Sequence, residues 1–107
     1  MATNNDNKLV LSVGGKQKYL KKLIGKMIKI LYLIEEESVT KNSPRAFIYG
    51  QLVELNGANQ LFDNELVEII VKLKVVYDTY ETAPFDQTKK QIFEIKNNIN
   101  YLLKTLS

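Results

Sequence analysis

A chain of 107 residues with 45% hydrophobic and 25% charged side chains has the composition of one globular domain and falls outside the disordered, collagenous and membrane-spanning classes. It carries no Cys and no His, which excludes disulfides, thiolate nucleophiles, iron–sulfur clusters and cysteine or imidazole metal sites, and removes the usual general base near neutral pH. The net charge is +3, with fourteen Lys against the single Arg45.

That Lys bias, with abundant Ile and Asn, is the residue usage of an AT-rich genome such as a low-GC bacterium, its phages or its plasmids. No run of about 18 apolar residues encodes a transmembrane helix. The polar, Asn-rich stretch from Met1 to Lys8 lacks the basic region, apolar core and cleavage site of a signal peptide, so a cytoplasmic location is expected.

Leu9 to Val13 is apolar and runs into Gly14-Gly15, a breaker pair. The expectation is a flexible N-terminal arm over residues 1–15, a disordered tail followed by a strand or irregular piece at 9–13, and then one helical domain over 16–107. From Lys16 to about Glu37, Leu20, Leu23, Ile24, Met27, Leu31 and Ile34 recur at steps of three and four. That spacing puts them on one face of an amphipathic helix, with Ile28 and Ile30 widening the stripe.

Ser43-Pro44 predicts a second helix start, because the Ser hydroxyl can accept from a free backbone N–H and Pro at the first helical position needs no donor. Ile48, Leu52 and Leu55 form its apolar line, widened by Tyr49 and Val53, and Asn56-Gly57 supplies the expected stop. Asp63 is the expected cap of helix three, with Phe62 and Val67 placed for a hydrophobic staple.

Leu66, Ile69, Ile70, Leu73, Val76, Tyr77 and Tyr80 then keep helical spacing. The window is also rich in β-branched residues and alternates at Val71-Lys72-Leu73-Lys74-Val75, so helix and strand both fit residues 66–77, and the neighbouring helices favour helix. Ala83-Pro84 punctuates, Asp86 can cap helix four, and Ile92, Ile95, Ile99, Leu102 and Leu106 form a 3–4 seam. Short loops make successive helices antiparallel, so the expected fold is all-α: an up-down-up-down four-helix bundle with a short disordered N-terminal tail.

Charge is segregated along the chain. Residues 1–34 carry seven Lys and one Asp, a net of +6, whereas residues 35–107 have a net of −3. Lys18, Lys22, Lys26 and Lys29 step along the face of helix one opposite its apolar stripe, with Lys21 beside them. Lys at the N-terminal half and Glu35-Glu36-Glu37 at the C-terminal end oppose the helix dipole, at roughly 0.3–1 kcal/mol for each exposed charge. Two such helices set side by side and antiparallel would match Lys to Glu twice over.

Six Tyr are many for this length, and Tyr19 and Tyr32 flank the Lys face. The candidate contact surface is therefore Lys18, Lys21, Lys22, Lys26 and Lys29 with Tyr19 and Tyr32. No spacing converges acids on a metal or a reaction, and Gly14-Gly15-Lys16 lacks the frame of a phosphate loop, so no cofactor, metal or catalytic residue is assigned.

In format, a basic four-helix chain of about a hundred residues, the sequence resembles bacteriocin immunity proteins of the enterocin A type. That resemblance implies a protein-binding function, and small phage or plasmid accessory proteins share the format. The expected function is a non-enzymatic protein–protein interaction module that binds a protein partner or a second copy of itself through the Lys face. The alternative is a small accessory protein that sets the same lysines on nucleic-acid phosphates; the single Arg argues against base readout and bidentate clamping. Peripheral membrane contact is disfavoured, because the apolar face of helix one is needed for the core.

Overall fold

The computed structural model describes residues 11–36 and 43–106. Of the expected N-terminal arm over residues 1–15, residues 1–10, which include the polar tail and the start of the piece at 9–13, lie outside the described residues, as does the polar loop at 38–42. Four helices form, α1 (Val13–Glu35), α2 (Pro44–Ala58), α3 (Val67–Thr79) and α4 (Phe85–Leu106), with a 3₁₀ turn at Asn59–Phe62 after α2. Each helix packs against the next, and α4 closes the ring on α1. This is the expected all-α four-helix bundle, and residues 67–79 are helix and not strand.

The buried side chains follow the expected periodicities, with a shift on α1. Leu20, Leu23, Met27, Ile30 and Leu33 form its buried line, while Ile24, Leu31 and Ile34 are half-buried and Ile28 is exposed. Ile30, expected at the margin, is central, and Leu33 joins it. The shift arises because α1 packs against α2 on one flank and α4 on the other. Leu55 of α2, Leu66, Ile69, Leu73 and Val76 of the α3 segment, and Ile92, Ile95 and Ile99 of α4 complete the core.

Helix ends depart from expectation in four places. α1 begins at Val13, three residues before Lys16, because the Ser12 hydroxyl caps it by accepting from the Gly15 N–H at 3.0 Å. Gly14-Gly15 thus lies in the first turn, where the cap satisfies an N–H that the helix cannot. A Cβ on Gly15 would sit 3.3 Å from the Ser12 hydroxyl, so the pair accommodates the cap and does not break the helix. Leu11 is half-buried against the core, and its N–H reaches Leu61 O at 3.4 Å.

α2 runs through the expected stop at Asn56-Gly57, where Asn56 turns back to donate to Leu52 O. The chain reverses instead at Asp63 and Asn64, with φ of 52° and 65°, a left-handed backbone that Asp and Asn tolerate better than most residues. Asp63 therefore ends the 3₁₀ turn, and the N-cap position of α3 falls to Leu66, which makes no side-chain cap bond. Asn59 braces the turn before α3: its Oδ1 accepts from Leu66 N at 3.0 Å while its Nδ2 donates to Asn64 Oδ1 at 3.2 Å.

The Phe62–Val67 staple does not form, since Phe62 is buried under Tyr19 and Val67 is exposed. At α4, the Pro84 carbonyl accepts from Gln87 N and Thr88 N and the helix starts at Phe85. Asp86 consequently sits within the first turn and is not the cap, and there its charge suits the helix dipole.

Candidate functional site: the outer face of α1

Helix α1 turns its apolar line towards α2 and α4, and so presents the opposite face outwards. Lys18, Lys21 and Lys22 are exposed on that face and form no ion pair among the described residues. The other lysines of α1 are engaged within the fold. Lys26 reaches across to Glu54 of α2 at 3.2 Å, Lys29 lies 5.1 Å over the ring of Phe47, and Lys16 pairs with Glu65 at 3.6 Å beside the Phe62 ring.

The two flanking tyrosines part ways. Tyr32 is 57% exposed and stands on the lysine face, with Ile28, 49% exposed, one turn before it. Tyr19 turns inwards, its ring centroid 5.2 Å from that of Phe62. Burial first, and the nearby Glu54 charge second, push its hydroxyl up to about 12. Of the seven residues in the expected surface, the fold leaves Lys18, Lys21, Lys22 and Tyr32 outward without an internal partner among the described residues, and it adds Ile28.

The remaining charges act mainly as ties between elements. The Arg45 guanidinium pairs with Glu81 and lies 4.6 Å over the Tyr77 ring, fastening the start of α2 to the end of α3. The hydrogen bonds it donates to Glu81 and Tyr77 raise its already high pKa further. Glu68 accepts from Asn98 at 2.8 Å and pairs with Lys72 at 3.1 Å. Those two contacts hold its carboxyl below the usual range, so it stays ionised near neutrality and does not serve as a proton donor there. No group of three or more His, Cys, Asp or Glu converges to hold a metal ion among the described residues. No described helix is long and apolar enough to cross a membrane.

A second surface was not visible in the sequence as a surface. Val67, Val71 and Val75 are exposed at successive turns of α3, beside a shallow groove of about 380 Å³ lined by Tyr49, Val53, Ile70 and Tyr77. Tyr49 and Tyr77 approach with ring centroids 6.2 Å apart. Their signal in the sequence was the β-like alternation of this window, which comes from valines on the solvent side of a helix.

The chain matches no protein-family model, no curated protein and no solved structure.

Proposed function

We propose that this protein is a non-enzymatic interaction module of the cytoplasm that docks an acidic protein surface on the outer face of α1. One observation carries the reading: Lys18, Lys21 and Lys22, without internal ion pairs among the described residues, share the outer face of α1 with the exposed Ile28 and Tyr32, which follow them towards its C-terminal end. Apolar area supplies affinity at an interface core, and surrounding charge supplies steering and register. A solvated lysine face serving only solubility would have no use for an exposed Ile and Tyr beside it.

The test is fluorescence anisotropy of a labelled poly-glutamate peptide and of a short DNA duplex against the chain over a range of salt. Changing Lys18, Lys21 and Lys22 together to Glu is expected to weaken peptide binding by about tenfold or more, whereas Lys89→Glu/Lys90→Glu on α4, with the same sign of change, costs far less. Equal losses from both variants would contradict the α1 face. DNA binding that is tighter than peptide binding, and that falls by about 0.7–0.9 log units per log unit of salt for each charge neutralised, would favour the nucleic-acid reading instead.

A further inference from the structure

The outer face of α1 carries a second periodicity. Lys18, Lys21, Gly25, Ile28, Tyr32 and Glu35 follow steps of three, four, three, four and three residues. This is the spacing of a helix seam that packs at about 20° against a neighbouring helix. The first such line on α1, through Leu20, Leu23, Met27 and Ile30, is used inside the bundle. The second one faces outwards, with Lys18, Lys21, Gly25, Ile28, Tyr32 and Glu35 all exposed.

The order of residues along this outer seam is what identifies its partner. It is basic at one end, apolar in the middle and acidic at the other. We propose that the partner is a second copy of this chain, laid antiparallel across α1 about a two-fold axis at Ile28. The proposal rests on the docking reading above and names the occupant of that face.

In this register Ile28 meets the partner's Ile28. Lys21 comes opposite the partner's Glu35, seven residues on either side of the axis. Gly25 lies three residues to one side of the axis and the partner's Tyr32 four to the other, so the two come within one residue's rise of each other, and nothing within 4 Å crowds the place where a Cβ on Gly25 would stand. The partner's Glu36 falls between Lys18 and Lys22. Antiparallel two-fold pairing brings each of these contacts twice.

Two further facts point the same way. Glu35 and Glu36 form no ion pair among the described residues, so the acids this register calls on are as unengaged as the lysines. α1 also has no acid in its first turn and no base in its last, the reverse of what the helix dipole favours. An antiparallel neighbour supplies the missing complement at both ends.

A helix face about 34 Å long and 10–12 Å wide offers roughly 350–400 Å², about half the roughly 800 Å² per partner of a standard interface. The pair is accordingly weak, formed at high protein concentration and loosened by salt.

The experiment is sedimentation equilibrium of the full chain over a range of concentration, at about 0.05 M and about 0.5 M salt. The wild type is expected to dimerise at low salt and to dissociate at high salt. Lys18→Glu/Lys21→Glu and Glu35→Lys/Glu36→Lys each turn attraction into repulsion, so each alone should associate about tenfold more weakly or less. Mixed one to one, the two variants bring opposite charges together again at both ends of the seam, with native polarity at one end and reversed polarity at the other, and should form a heterodimer. Circular dichroism of each variant confirms that its helices persist.

A wild type that stays monomeric at low salt, or reversed variants that dimerise unmixed, would overturn the proposal. If the chain is monomeric yet poly-glutamate binding still depends on Lys18, Lys21 and Lys22, the second copy is wrong and the docking face stands. If that dependence is absent as well, both fall.

Discussion

The Tyr19 hydroxyl is buried without a hydrogen-bond partner among the described residues, although its ring packs on Phe62. Tyr19→Phe keeps the ring contact and removes an unsatisfied polar group. Urea titrations at neutral pH should therefore show stability held, or raised by up to about 1 kcal/mol. At alkaline pH the two proteins should diverge. The folded phenol ionises near 12 against an ordinary value of 10, so the unfolded chain loses this proton first. The stabilisation is fully present below pH 10 and is lost as pH rises through 12. The phenylalanine variant should lack that contribution to the alkaline decline, and parallel declines in both proteins would show that Tyr19 does not titrate as described.

The turn between α2 and α3 makes an equally sharp distinction. Asn59 Oδ1 accepts from the part-buried N–H of Leu66, the residue that precedes α3, so Asn59→Ala, which leaves that donor unsatisfied, should cost about 1–3 kcal/mol. Asp63→Gly, which keeps access to the left-handed backbone, should cost less; chemical denaturation of the two variants compares them. In the core, Ile95→Ala should cost about 2–5 kcal/mol, read the same way, because Ile95 is fully buried.

What the sequence made legible follows from these particulars. Helix number, order and most buried positions were readable, because burial of an apolar face dictates a 3.6-residue period. The start of α2 was readable too, since the Ser43 hydroxyl caps it and Pro44 is its first residue, but the other ends were not, because several residues competed for each one. Gly14-Gly15 and Asn56-Gly57 read as breaks, yet Ser12 caps across the first pair and the 3₁₀ turn carries α2 past the second. The lysine face was legible as a stripe. Its division into engaged lysines (Lys16, Lys26 and Lys29) and outward ones depended on Glu65, Glu54 and Phe47, residues distant in sequence that only the packing brings alongside.

For the molecule as a whole, the charge segregation and the outer seam of α1 belong together. A first helix that opposes its own dipole, with lysines at one end and glutamates at the other, has the charge order that the proposed antiparallel neighbour would complement. The cysteine-free sequence allows that neighbour to be located directly by oxidative cross-linking of single-cysteine variants at low salt. Ile28→Cys, at the two-fold axis of α1, is predicted to form a disulfide-linked dimer rapidly and to slow as salt rises, while Val71→Cys on the exposed face of α3 forms one only at the rate of random collision. Faster cross-linking through Val71→Cys, or equal rates for both that do not change with salt, would contradict a contact surface on α1.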